Sequence, residues 1–497
     1  MSNTPDSANN PRSEMLGNAP VTSLMIKFAV PSIIAMLVGA LYNIVDQLFI
    51  GQAVGQLGNA ATNIAFPFST SCLSLALLFG IGGASCFNLS MGRGDRERAP
   101  YFVGNAVLMM LICGVVLMAV TQVFLMPLLK LFGSPDEVLP LAQEYVGITA
   151  WGFPFMIITT GGGHLIRADG SPRMTMLCNL LGAVINTVLD AVFVLGLDWK
   201  MTGAAWATVI GQVISGTVAI VYLTRYKTVH LGLKHLRIRW QYTGKIIAIG
   251  MASCINQLAM MIVQIVMNNL LKHYGALSVY GESNPIAVSG IVMKVNQITF
   301  SIVIGLGQGA QPIISFNYGA RKYSRVRAAL RSAITVGAGV AVLAFVLFQL
   351  FPREIIAIFG KGADEYFEFG VKFFRIFLFF TWLNCLQPIA SMFFTSIGKS
   401  FKGAFLSLTR QILFLLPPLI VLPLFWGIDG MLWAGPFADL LSAVAAIIMI
   451  IVELRIMKRE EADFKGSAFF IDIQHDGQVL YLPVFRAIPH KDCACIA

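Results

Sequence analysis

The sequence predicts an all-α polytopic membrane protein of twelve transmembrane helices, arranged as two six-helix lobes related by a pseudo-two-fold axis. Three observations carry this reading: an apolar composition, twelve apolar runs of membrane-spanning length, and an internal repeat. Of 497 residues, 57% are hydrophobic and only 12% charged, whereas soluble chains carry about a quarter charged residues. Most of this surface is therefore built for lipid and not for water.

A hydrocarbon core of about 30 Å needs about 20 helical residues. Apolar runs of that size fall at 24–50, 60–90, 101–127, 141–166, 174–197 and 203–224, then at 245–271, 285–316, 332–351, 367–395, 401–424 and 431–453. The first run lacks a small-residue cleavage site and is expected to remain as an anchor. Residues 1–23 and 456–497 then read as tails, 24–225 and 245–455 as the two lobes, and the basic stretch 226–244 as the linker between them.

A shift of 227 residues superimposes Gly80-x-Gly82 on Gly307-x-Gly309, Met91-Gly92 on Tyr318-Gly319, and Gly203-x-x-Trp206-Ala207 on Gly430-x-x-Trp433-Ala434, without a gap. One offset over this length marks a duplication. Each half holds an even number of spans, so both enter the membrane in the same sense and the relating axis runs along the membrane normal.

The net charge of +10 does not point to nucleic acid, because the cations sit in short loops between apolar runs. Even-numbered loops carry eighteen Lys and Arg residues, among them Arg93, Arg96, Arg98, Arg321, Lys322 and Arg325, against five in the odd-numbered loops. The positive-inside rule then places both termini in the cytoplasm of a multi-pass plasma-membrane protein. Cys72, Cys86, Cys113, Cys178, Cys254 and Cys385 lie within apolar runs without metal spacing and read as packing residues. The six histidines form no HExxH or related pattern, which argues against an enzyme.

Ionisable groups inside spans are costly unless they face a cavity or a partner. Asp46 lies near the outer end of the first span; Asn186 and Asp190 sit one turn apart in the fifth; Thr208 enters the sixth. At about 1.5 Å per residue Asp190 lies about 24 Å from the inner start of its span, in the same layer as Asp46 and Thr208. These four residues define a candidate oxygen-rich site that can hold a sodium ion or share a proton. Pro31 removes a backbone hydrogen bond 15 residues before Asp46 and is the candidate hinge.

The second half does not repeat these acids: the 227 shift carries Asn186 to Leu413 and Asp190 to Pro417. It carries instead Lys294, Arg410 and Asp439, read as a structural ion-pair group. Gln264, Asn268, Met293, Gln297 and Asn384, with 22 methionines and 36 phenylalanines in the chain, suit an adaptable cavity for organic cations.

The segment LYNIVDQLFIG around Asp46, the NTVLD of Asn186 to Asp190 followed by GAAWATVIGQ with Thr208, and the twofold repeat together resemble multidrug and toxic compound extrusion (MATE) transporters, over about residues 15–455. The resemblance implies antiport, in which protons or sodium ions enter while lipophilic, often cationic drugs leave. It further implies that Asp46, Asn186, Asp190 and Thr208 form the cation site of the first lobe and that Pro31 marks a bending first helix. Some members also carry acids in the seventh and tenth spans; their central absence here favours coupling in the first lobe. No cofactor beyond the coupling ion is expected, and the partners expected are small organic molecules and the bilayer, for a chain acting as a monomer.

Two other transporter readings remain open. A major-facilitator-type transporter shares twelve spans and a loosely similar Gly92-Arg-Gly-Asp95-Arg96 loop but leaves the Asn186/Asp190 pair unexplained. A lipid-linked precursor flippase of the same superfamily needs a strongly cationic central cavity. An ion channel does not call for repeated lobes around a buried acid niche.

Overall fold

In the computed structural model the described residues are 11–469, apart from 133, 135, 136, 282 and 360–363; they are overwhelmingly helical, and no strand occurs among them. A short helix, Pro11–Asn18, precedes the first span, Val21–Ala53. Gln56–Gly92, Ala99–Val123, Pro172–Asp190 with its continuation to Gly196, and Lys200–Thr224 supply further spans of the first half; Trp240–Ala276, Ser283–Gly319, Tyr323–Leu350, Ser400–Val421 and Pro423–Phe469 supply those of the second.

The fourth span of each half is broken. In the first half Leu139–Thr149 and Phe153–Ala168 are joined by a tight turn at Ala150–Gly152, next to Pro154. In the second, Asp364–Phe377 and the segment Thr381–Ser396 meet at a 41° bend. Among the described residues, ten helices are long and apolar enough to cross a membrane, and the bent pair makes an eleventh; the broken helix at 139–168 occupies the remaining position. Both fifth spans also widen into a π-helical stretch, at Ala191–Gly196 and at Thr409–Leu415.

The repeat is visible in atomic contacts. A Cβ on Gly92 would overlap the carbonyl oxygen of Phe316, and one on Gly319 would overlap that of Leu89. The 227 shift converts each contact into the other, which is the signature of an isologous two-fold interface. The turns after these two spans match as well. Asp95 N donates to Ser90 O at 3.0 Å and Lys322 N to Asn317 O at 2.8 Å, each closing a left-handed turn at the equivalent positions Gly94 (φ 80°) and Arg321 (φ 56°). Only glycine takes that conformation without strain, so the second half carries a cost at Arg321 that the first avoids.

The most extensive helix pairings cross between halves: the second span packs on the seventh and the eighth on the first. Glycines allow this close approach, since Gly82 lies against the backbone of Ile246 and Gly309 against that of Ala29. The first span runs unbroken from Val21 to Ala53 through Pro31, where the Ser32 hydroxyl donates to Phe28 O at 2.8 Å.

Three boundaries differ from the sequence expectation. The seventh span begins at Trp240, inside the expected linker; part of the expected N-terminal tail is helical; and the last helix continues beyond 455 to Phe469. Residues Met1–Ile447 form one compact unit and Ile448–Ala497 a second, whose described part is the end of the last helix. Residues 470–497, with Cys493 and Cys495, lie outside the described residues.

Candidate functional site: a buried acidic pocket in the first lobe

The structure brings Asp46, Asn186, Asp190 and Thr208 together, each of them buried, with Asp190 fully inaccessible. Asn186 Nδ2 donates to Thr208 Oγ1 at 3.2 Å, tying the fifth span to the sixth. The Asp46 and Asp190 carboxyl groups face each other across the first and fifth spans. Asp46 Oδ1, both oxygens of Asp190 and Asn186 Oδ1 are buried and receive no hydrogen bond from the protein.

Asp190 closes the regular helix Pro172–Asp190, and the chain then widens so that Leu197 N reaches Val192 O at 2.9 Å, five residues back. Such π-turns break the regular ladder and concentrate at functional positions. Here one displaces the backbone directly beyond the buried carboxylate.

Two tyrosines complete the pocket. Tyr42 and Tyr145 turn their phenols toward Thr208, with Asp46 and Asp190 close by. Tyr42 stands one helical turn before Asp46 and was accessible to periodicity reasoning; Tyr145 sits on the broken fourth span, and only tertiary packing brings it in. One residue before it, Glu144 accepts a hydrogen bond from the Thr202 hydroxyl.

The chemistry of this set is that of several buried acceptor oxygens, Asp46 Oδ1, Asn186 Oδ1 and both of Asp190, left without a donor. Two carboxyl groups side by side repel unless a proton or a cation lies between them. Carboxylate, amide and hydroxyl oxygens are also the donors that hard monovalent and divalent cations choose. The residues thus fit either a shared proton or a sodium ion.

In the second lobe Arg410 Nη2 and Nε donate to Asp439 Oδ1 at 2.7 and 3.2 Å. Asp439 also meets Asn384, and the guanidinium lies 5.9 Å from the Phe300 ring centroid. Asn384 and Phe300 line a small, water-sized cavity with Asn296, Thr299 and Thr381. Lys294 does not join this group: among the described residues it makes no ion pair, so the pairing is Arg410–Asp439 alone. Of the remaining candidate cavity residues, Gln264 Nε2 donates to Asn268 Oδ1 at 3.0 Å on the seventh span, Met293 packs against the apolar core, and Gln297 is exposed.

The twelve-span, two-lobed architecture is that of solved MATE membrane transporters. A crystal structure of a MATE protein in complex with MaL6 superimposes with a TM-score of 0.84 at 20% identity, covering 91% of this chain and all of that one. An outward-facing multidrug resistance MATE family transporter of the MOP superfamily gives 0.84 at 21% identity, covering 90% and 99%. A MOP superfamily transporter from Pyrococcus furiosus, described as having a binding pocket of reverse polarity, gives 0.83 at 21% identity, covering 90% and 99%.

The MatE family model matches residues 31–192 and 252–419, and the chain belongs to that family of membrane transporters. Among its relatives are the multidrug export protein MepA of Staphylococcus aureus, 23% identical over 433 residues covering 87% of this chain and 94% of MepA, and that of Staphylococcus saprophyticus, 24% identical over 429 residues, covering 86% and 92%.

Proposed function

We propose that the chain is a cation-coupled antiporter that exports small lipophilic, cationic organic compounds across the plasma membrane by alternating access, with both termini cytoplasmic. The observation that carries the coupling is the facing pair of buried carboxyls, Asp46 and Asp190, of which Asp46 Oδ1 and both Asp190 oxygens find no protein donor. A proton or sodium ion entering from the outside satisfies them, held by Asp46, Asp190, Asn186 and Thr208. The export direction and substrate class are supported by the names of the staphylococcal relatives and by the apolar character of the lobes.

In this reading the first span responds to occupancy. Neutralising Asp46 removes repulsion between the first and fifth spans, and Pro31 gives the first span a position at which it can bend. The asymmetry of the lobes fits coupling in the first alone, because Asp439 of the second is already neutralised by Arg410. Basic loops on the side of both chain ends support the orientation.

The test is efflux of a cationic dye from proteoliposomes under an imposed proton or sodium gradient, comparing wild type with Asp46→Asn and Asp190→Asn. Each variant is expected to lose gradient-driven efflux, and the gradient that drives the wild type identifies the ion. Full activity in both variants sinks the coupling site. Efflux of an anionic lipid but no organic cation would assign the chain to the flippase class instead.

A further inference from the structure

The N-terminal helix lies on the basic-loop side, at the seam between the lobes. Leu16 is buried there and lines a cavity with Phe87, Asn88 and Met91 of the first lobe and Phe316 of the second. The carbonyls that end this helix are gripped by side chains of the second lobe. Asn317 Nδ2 donates to Leu16 O at 3.0 Å, and Lys322 Nζ donates to Gly17 O at 2.9 Å and to Asn18 Oδ1 at 3.0 Å. Arg325 Nη2 donates to Leu16 O and Ala19 O while its Nε is anchored on Asn317 Oδ1 at 3.0 Å. Cations at a helix C-terminus satisfy its free carbonyls and oppose its dipole.

The repeat shows what this segment stands in for. The 227 shift carries Leu16 and Gly17 onto Thr243 and Gly244, in the opening turns of the seventh span just after the inter-lobe linker. That segment is fastened to the first lobe: Arg239 N and the Thr243 hydroxyl donate to Asn105 Oδ1 at 2.8 and 3.1 Å, and the Arg239 guanidinium covers Tyr101 at 4.5 Å. Each lobe therefore clasps the segment entering the other lobe's first span. The linker is covalently continuous with both lobes, whereas the N-terminal helix, continuous with the first span, is held to the second lobe by hydrogen bonds and Leu16.

We propose that the N-terminal helix is a releasable strap that keeps the basic-loop side closed, and that Leu16, Lys322 and Arg325 set the population of the closed state. Opening on that side separates Gly92 from Phe316 and Gly319 from Leu89, which strips Leu16 from one wall of its socket. The strap thus adds more contact energy to the closed state than to the open one, the condition for shifting a two-state equilibrium.

The test uses the full-length chain, its eight native cysteines replaced, in lipid nanodiscs without substrate or gradient, with spin labels at the exposed, repeat-equivalent positions Glu97→Cys and Ser324→Cys. Wild type is expected to show mainly the short inter-label distance. Leu16→Asp, and separately Lys322→Ala with Arg325→Ala, are expected to raise the ratio of long to short distance about tenfold, the shift equivalent to about 1.4 kcal/mol. Lys322→Arg is expected to keep the wild-type distribution, as is Lys130→Ala in an odd-numbered loop. Unchanged distributions in both Leu16→Asp and the Lys322/Arg325 variant overturn the proposal, and if Leu16→Asp does not fold, the cationic pair decides alone. The readout involves neither ion nor substrate, so its failure leaves the coupling reading standing, and the reverse holds.

Discussion

Replacing Asp439 by Asn tests whether the buried charge pair of the second lobe is structural. Asp439 and Arg410 are 4% and 15% exposed at their side chains, so the substitution leaves a guanidinium facing an amide in a site that water barely reaches. Breaking a buried pair from one side costs about 3–5 kcal/mol, of which Asn recovers about 1 kcal/mol by still accepting one hydrogen bond. Unfolding entropy of about 2.1 cal/mol/K per residue gives about 1 kcal/mol/K for 497 residues. The melting temperature should therefore fall by about 2–4 °C, and by more if the helices persist through the transition and the entropy is smaller. The assay is thermal unfolding of the purified protein in detergent, with Arg410→Met/Asp439→Leu as the partner variant; that pair of changes removes both charges and is expected to recover most of the loss. A melting temperature within about 1 °C of wild type for Asp439→Asn, together with lost transport, would refute the structural reading and move the pair into the substrate path.

Further outcomes follow from the seam and the linker. Gly92→Val and Gly319→Val each force side-chain atoms into the backbone of the opposing span; each is expected to cost about 1–3 kcal/mol of stability, and because the contacts are reciprocal the two losses should be similar in thermal unfolding. A free pass for one and a large loss for the other would break the two-fold argument. His235, in the linker, accepts a hydrogen bond at Nδ1 from Gly232 N at 3.0 Å, and burial, then the neighbouring Lys234 charge, holds its pKa below the ordinary histidine value. A base with a lowered folded pKa contributes stability that is complete above about pH 6.5 and is lost as pH falls below it. Trypsin cleavage at Lys234 and Arg237 should accordingly speed up, relative to an exposed control peptide, between pH 7.5 and pH 5.5, and His235→Gln should flatten that dependence; equal rates at both pH values in wild type would contradict it.

What the sequence disclosed and what it hid divide along physical lines. Bilayer thickness imposes a length on every span, and the repeat imposes a partner for each, so the span order and two-lobed plan could be read from apolar runs and a single offset. Asp46, Asn186, Asp190 and Thr208 could be assembled because helical rise assigns a depth to each residue, and buried polar groups at one depth seek one another. Depth carries no information about rotation around the helix axis. That is why Lys294, at a depth suited to Asp439, is not paired with it. Tyr145 escaped for a related reason: it lies on the fourth span, whose break at Ala150–Gly152 leaves no regular helix from which to count. The strap at Leu16 depends on contacts more than three hundred residues apart in sequence, as Asn317 and Arg325 show, and no local pattern announces them.

The first span joins the two features on which transport would turn. Its Val21–Ala53 helix carries Asp46 toward one side of the membrane and, through Ala19 and Pro20, the strap at the other. A helix transmits displacement along its axis while its hydrogen-bond ladder is intact, and Pro31 weakens that ladder between the two ends. A change in charge at Asp46 that bends the span at Pro31 therefore alters the pull on Leu16 and on the Lys322 and Arg325 contacts. Such coupling is reciprocal in binding free energy: if ion occupancy loosens the strap, loosening the strap must shift ion affinity by the same factor. The Lys322→Ala/Arg325→Ala chain, designed for the closure measurement, thus also reports on communication between the ends, through the concentration of ion needed for half-maximal binding.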